Sequence, residues 1–147
     1  HGVAHRVAAV YKQRLPLLEG AVEAVKQLAE RWPLAVASSS NRLVIDLALE
    51  LAGLTECFVV TVSSEEVPYG KPQPDVYLEA ARRLGVAVMR CVAIEDSQNG
   101  ILSAKAAGML VIAVPNRRYP PSPQTLGVAA LVLDSLTQLT SGTIESL

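Results

Sequence analysis

Five short apolar runs, each separated from the next by an amphipathic stretch, constrain this chain more than any other feature. "LAVAS" (Leu34 to Ser38), "FVVTV" (Phe58 to Val62), "CVAIE" (Cys91 to Glu95), "MLVIAV" (Met109 to Val114) and "ALVL" (Ala130 to Leu133) are apolar on both faces. Strands that alternate apolar and polar residues expose one face to water; runs without alternation read as strands covered on both sides. Between them, "GAVEAVKQLAER", "NRLVIDLALELAGL", "PDVYLEAARRLGV" and "SQNGILSAKAAGM" carry apolar residues at helical spacing and close at or near Gly or Pro. No internal repeat is present. The alternation predicts an α/β fold with a doubly wound parallel sheet, whose ligands gather where the carboxyl ends of the strands meet the following loops. The one Pro-rich stretch, "PNRRYPPSPQ" (Pro115 to Gln124), reads as a long connection between a strand and a helix.

Composition narrows the function. The chain has 147 residues, 50% hydrophobic and 18% charged, enough for one ordinary core. A net charge of −1 and a pI near 6.1 provide no broad basic field, which argues against nucleic acid or a membrane surface as partner. Cys57 and Cys91 lie in separate apolar regions without C-x-x-C spacing and read as buried thiols of a reducing compartment, so a cytoplasmic location is expected. His1 and His5 lack companions at zinc-ligand spacing. Trp32 reads as packing at a helix end, and Arg117 and Arg118 as a solvated face.

Three polar clusters fall on one edge of the expected sheet. "SSSN", Ser38 to Asn41, follows a strand and opens a helix. Ser and Asn are ordinary N-caps, but three successive hydroxyls exceed what capping needs, and a helix start with added donors suits a phosphate. "YGKPQPD" fixes Lys71 between Gly70 and Pro72, so its backbone is constrained and its ammonium aimed. "CVAIEDSQNG" ends an apolar strand on adjacent carboxylates, Glu95 and Asp96. One of them is explained by helix entry, with Asp96 or Ser97 as N-cap; the other is costly there without a compensating cation. Mg²⁺, a hard ion that takes few protein carboxylates and also binds phosphate oxygens, meets that need. Together the clusters describe a phosphoryl-transfer site without a nucleophile.

The order "VASSS", "GKPQPDVYLEAARRLG", "VAIEDSQNGILSAKAAGM" resembles motifs two, three and four of the haloacid dehalogenase superfamily of phosphatases and phosphomutases, nearest its β-phosphoglucomutase-like and sugar-phosphatase branch. The resemblance implies a Rossmann-like core over residues 16–147, with residues 1–15 the end of a helical cap domain. It gives Ser38 a phosphoryl oxygen to bind with help from the Ser39 N–H, gives Lys71 the developing phosphoryl charge, and gives Asp96 and Glu95 the Mg²⁺. Ser40 and Asn41 carry over weakly, as substrate-binding positions. The substrate the resemblance implies is a small phosphorylated metabolite, of the sugar-phosphate kind.

The family's first motif, Asp-x-Asp on the central strand, is missing: no Asp precedes Asp46, which lies in a helical pattern. The expectation is therefore a sheet without its nucleophile strand between the strands ending at Ser38 and Glu95, the strand coming from an upstream segment or a separate chain. On this reading the intact protein is a Mg²⁺-dependent phosphatase acting through an aspartyl-phosphate, and this chain alone is inactive. Two alternatives stand beside it, a phosphomutase and a non-catalytic phosphate-binding module.

Overall fold

The computed structural model describes residues 8–11 and 20–147. Six strands form one sheet: β1 (Ala8–Tyr11), β2 (Leu34–Ser38), β3 (Val60–Ser63), β4 (Cys91–Glu95), β5 (Leu110–Ala113) and β6 (Leu131–Val132), in the order β3-β2-β1-β4-β5-β6. Each neighbouring pair is parallel. Among the described residues there are six α-helices: α1 (Ala21–Ala29), α2 (Arg42–Ala52), α3 (Asp75–Leu84), α4 (Gln98–Ala107), α5 (Pro123–Leu126) and α6 (Ser141–Glu145). The expected doubly wound parallel sheet is present. Within the Pro-rich stretch, helix α5 starts at Pro123 with Ser122 as its N-cap. Strand β3 begins at Val60, two residues later than the apolar run that announced it.

The two faces of the sheet carry different side chains. Leu34, Val36, Val92, Ile94, Ile112 and Val114 pack on one face with α1, α2 and the C-terminal elements. Ala35, Ala37, Ala93 and Ala113 face the other way, against Val76, Tyr77, Ala80 and Ala81 of α3 and Ile101, Ala104 and Ala107 of α4. Small residues on that face and on both helices let α3 and α4 lie close to the sheet, within reach of the strand ends. Glycine closes α4: Gly108 adopts φ 95°, which a side chain resists, and its N–H returns to the Ala104 and Lys105 carbonyls.

Strand β3 is a sheet edge and is covered by side chains. The Thr61 carbonyl accepts from Arg42 Nη2 (2.9 Å) and Arg83 Nη1 (3.1 Å), and Glu66 pairs with both arginines. Glu79 adds ion pairs to Arg82 and Arg83, whose hydrogen bonds pull its carboxyl down to about 2. An edge so occupied is a poor template for another strand.

One expectation is corrected at the centre of the sheet. Residues 1–15 were expected to end a cap helix and to leave a gap between β2 and β4. The backbone of Ala8–Tyr11 is instead a strand that fills this place, pairing Val10 with Ala35 on one side and with Ala93 on the other. Its physical reason is backbone pairing: β2 and β4 each offer an edge of N–H and C=O groups, and a short apolar segment satisfies both. The chain thus supplies its own central strand, although that strand carries no carboxylate. The rest of the cap expectation, with His1 and His5, lies outside the described residues.

Because the alanine face admits little extra volume, Ala93→Leu should destabilise the protein by about 1–3 kcal/mol, the usual cost of overpacking a closed core. Urea denaturation checks this; a midpoint equal to the wild type's would show that α3 and α4 stand off from the sheet.

Candidate active site

The three polar clusters meet at the carboxyl ends of β2 and β4. Ser38 is buried at the end of β2, and its Oγ accepts the Ser40 N–H at 3.0 Å. The hydroxyl proton of Ser38 is therefore directed away from Ser40. The turn is held from β3 and the residue after it: Ser63 Oγ donates to the Ser40 carbonyl (2.7 Å) and Ser64 Oγ to the Ser39 carbonyl (3.1 Å). Ser39 itself is exposed. Asn41 takes the ordinary role open to it, since its side chain accepts the Val44 N–H at 2.9 Å and caps α2.

Lys71 reaches the same place from the loop before α3. The loop is pinned by Gln73 N–H to the Gly70 carbonyl (3.0 Å) and by the buried Ser103 hydroxyl of α4, which donates to the Gln73 carbonyl at 2.6 Å. The Lys71–Pro72 peptide bond is cis. The lysine side chain is only 3% exposed. Its Nζ donates to the Ala37 carbonyl (3.1 Å), at the peptide bond leading into Ser38, and to Glu95 Oε2 (2.6 Å). The ammonium thus bridges the ends of β2 and β4, across the position of β1.

Glu95 and Asp96 are both buried but occupied differently. Glu95 Oε2 also accepts from the Tyr77 hydroxyl of α3 at 2.6 Å, while Oε1 accepts from the Asp96 N–H (3.2 Å) and Ser97 Oγ (3.3 Å). Burial, then the Glu95 charge, pushes the Tyr77 hydroxyl well above its ordinary value, so it remains a donor. Asp96 Oδ2 accepts from Asn116 Nδ2 at a longer 3.4 Å, and the Asp96 carbonyl accepts the Asn116 N–H at 2.9 Å. Ser97, not Asp96, caps α4, through the Gly100 N–H. Among the described residues, no group of three or more His, Cys, Asp or Glu gathers to hold a metal ion.

Tyr77, Gly100, Ser103 and Asn116 were not singled out from the sequence. Tyr77 and Ser103 occupy helix positions that read as core, and nothing in the spacing distinguishes a tyrosine hydroxyl that reaches a carboxylate from a ring that packs. Gly100 makes the packing of Glu95 feasible: a Cβ there would come within 2.0 Å of the Glu95 carboxylate. Arg117 and Arg118 are exposed, as expected of a solvated face, and line a cavity of about 310 Å³ with Asn116 and Asp134. Trp32 is buried, with the Arg31 guanidinium 4.9 Å from its ring centre. Cys91 is buried and its thiol pushed up to about 11; Cys57 is half-buried, and both are free. No helix among the described residues is long and apolar enough to cross a membrane.

A parallel sheet with helices on both faces brings a hydroxyl loop, a buried lysine and an acidic pair to one edge of an α/β protein. The chain belongs to the haloacid dehalogenase-like hydrolases, whose family model matches residues 2–108. It is 39% identical to hexitol phosphatase B of Escherichia coli over 137 residues, 92% of this chain and 61% of that protein. It is 39% identical to the fructose-1-phosphate phosphatase YqaB of the same organism, over 60% of this chain and 47% of that protein. Among solved structures, a putative β-phosphoglucomutase from Thermotoga maritima superposes with a TM-score of 0.76 at 28% identity, covering 88% of this chain and 60% of that one. A hydrolase of the same family from Deinococcus radiodurans, crystallised with bound phosphate and sodium, gives 0.75 at 35% identity, covering 88% and 59%. The chain spans about three fifths of the length of these relatives, or less.

Gly100→Ala tests how closely α4 must approach β4. The added methyl must displace either the Glu95 carboxylate, with its bonds to Lys71 and Tyr77, or the first turn of α4. The variant should lose about 2 kcal/mol or more of stability, the scale of a strained, overpacked core site. A calorimetric melting temperature within a degree of wild type would show that the Glu95 side chain has room to move.

Proposed function

We propose that the protein carrying this chain is a Mg²⁺-dependent phosphoric-monoester hydrolase acting on a small phosphorylated metabolite, of the sugar-phosphate class that its relatives' names indicate. The observation that carries the reading is Lys71: an ammonium 3% exposed, held between the Ala37 carbonyl and Glu95, with Ser38 and Asp96 at the same strand ends. A buried, aimed cation beside a hydroxyl turn is an arrangement for an anion whose charge grows as a bond breaks.

In this reading the Ser38 hydroxyl donates to a phosphoryl oxygen, and the Ser39 N–H assists it. Lys71 stabilises the charge on the phosphoryl group in transfer. The nucleophile is an aspartate outside residues 1–147, because no Asp precedes Asp46 and β1 carries none. The carboxylate of that aspartate attacks phosphorus and the P–O bond to the substrate breaks, its oxygen taking a proton and leaving as the alcohol; water then splits the aspartyl-phosphate into carboxylate and inorganic phosphate, so that one hard displacement becomes two easier ones. Asp96 fits a hard cation, being a buried carboxylate at the strand end with Asn116 beside it. Bound there, Mg²⁺ would neutralise charge on the phosphoryl oxygens. Ser40 and Asn41 are left with structural roles in the turn and the helix cap.

A phosphomutase is the second reading, favoured by the similarity to the Thermotoga β-phosphoglucomutase-like structure. It uses the same core residues and differs in passing the phosphoryl group to a sugar hydroxyl rather than to water.

In the intact gene product, Asp96→Asn should abolish turnover of sugar phosphates, and Lys71→Met should lower kcat by at least ~10²-fold, comparable with losing one preorganised donor. Residues 1–147 alone should release no phosphate with Mg²⁺. Steady-state assays of phosphate release and of phosphosugar isomerisation separate hydrolase from mutase. Wild-type activity in Asp96→Asn would remove the metal assignment, and an intact protein inactive in both assays would leave a binding module.

A further inference from the structure

The hydroxyl at the end of β2 is aimed from the end of β3. We propose that Ser63 and Ser64 are positioning residues that fix the direction of the Ser38 O–H through two peptide groups of the turn after β2. The inference rests on the reading of Ser38 as a phosphoryl ligand and deepens it.

A serine hydroxyl has one proton to give and two lone pairs to receive with. Ser38 Oγ accepts the Ser40 N–H at 3.0 Å. That N–H belongs to the peptide joining Ser39 to Ser40, and the other end of the same peptide, the Ser39 carbonyl, accepts from Ser64 Oγ at 3.1 Å. The peptide is thus held at both ends, and a chain of hydrogen bonds runs from the Ser64 O–H through this amide to Ser38 Oγ. Bonds in such a chain polarise one another, so the Ser64 contact strengthens the Ser40 contact as well as orienting it. With one lone pair of Ser38 committed, its proton is confined to the directions that remain.

Ser63 holds the next peptide. It is fully buried, and its Oγ donates to the Ser40 carbonyl at 2.7 Å while accepting the Glu65 N–H at 3.1 Å. Glu66 Oε1 accepts the Ser63 N–H at 2.7 Å, and Glu65 Oε1 accepts the Arg42 N–H at 3.0 Å. Residues 63–66, "SSEE", therefore grip the backbone of residues 39, 40 and 42. Strand register places them there, because Ser38 and Ser63 are partners at the ends of adjacent parallel strands. The two serine runs have different tasks: "SSSN" presents a donor, and "SSEE" sets its aim. Without the grip, the Ser39–Ser40 peptide can turn and release the Ser38 hydroxyl to other rotamers. A phosphoryl oxygen then meets a donor that must first be ordered, and that ordering weakens binding. Ser64 is half-buried and Ser39 exposed, so water can satisfy the Ser39 carbonyl once the Ser64 hydroxyl is gone. Ser64→Ala accordingly tests the aim without a folding defect.

The test uses the intact gene product, with inorganic phosphate in the presence of Mg²⁺ as the probe for calorimetry and a sugar phosphate for kinetics. Ser38→Ala should weaken phosphate binding at least ~10-fold, as loss of a hydrogen bond to a charged group. Ser64→Ala should weaken it about fivefold, with a melting temperature within about two degrees of wild type. Ser64→Thr keeps the hydroxyl and should bind within ~2-fold of wild type. In the Ser38→Ala background, Ser64→Ala should change phosphate binding less than ~2-fold, because no donor is left to aim. Ser63→Ala should show the same dependence on Ser38, at a lower melting temperature because a buried hydrogen bond is lost. Since Ser38 bonds the phosphoryl group before and during transfer, kcat/KM for the sugar phosphate should fall in Ser64→Ala along with phosphate affinity. Ser64→Ala binding phosphate as tightly as wild type would overturn the inference. So would an equal loss of affinity with and without the Ser38 hydroxyl, which would make the turn a scaffold and nothing more. Normal phosphate binding by Ser38→Ala would sink both the inference and the role given to Ser38. A wild-type protein that binds phosphate yet hydrolyses no phosphate ester would sink the hydrolase reading alone, since the affinities still test the aim; one that binds no phosphate would sink both.

Discussion

The buried ion pair between Lys71 and Glu95 is the contact on which the rest of the site depends. Two charges removed from water cost several kcal/mol each, and their attraction compensates only when geometry is good and the remaining donors and acceptors are satisfied. Here they are: the Ala37 carbonyl takes another lysine proton, and Tyr77, Ser97 and the Asp96 N–H complete the carboxylate. Removing any one partner leaves a charge partly unsolvated in an apolar surround. The pair also explains features of the sequence distant from it. Ala93 precedes Glu95 on the same face of β4, Gly100 leaves space for its carboxylate, and Ser103 secures the loop that delivers Lys71.

The charge balance at the strand ends shows why the pairing matters for chemistry. Lys71, Glu95 and Asp96 formally sum to one negative charge, which would repel a phosphate monoester. On the proposed reading, a divalent cation held there would turn the sum of these three charges positive.

Much of this was legible in the sequence, and the reason is physical. Doubly covered strands have no polar alternation, so Leu34–Ser38 and Cys91–Glu95 could be read to the residue, and helix ends were marked by Gly53, Gly85 and Gly108. Ser38, Lys71, Glu95 and Asp96 declared themselves because polar groups at such positions conflict with local expectation. Tyr77 and Asn116 did not, because each obeys its local rules: a tyrosine on the apolar stripe of a helix, an asparagine in a loop. Their importance is purely tertiary. It comes from which atoms face them across the fold, and hydrophobic periodicity carries no information about that.

The central strand separates two demands that a sequence reading had fused. A strand between β2 and β4 must pair its backbone on both sides, and any short extended segment without proline can do so. It must also end in a carboxylate for the proposed chemistry, and that depends on side chains. Ala8–Tyr11 meet the first demand, with register contacts along both neighbours. They do not meet the second, and Lys12, Gln13 and Arg14, which follow in sequence, are cationic or neutral. Backbone pairing is indifferent to the residue that would attack phosphorus, so completion of the sheet and completion of the active site are independent events. The phosphate site proposed for Ser38, Lys71 and Asp96 is therefore compatible with a continuous sheet whose central strand carries no attacking carboxylate.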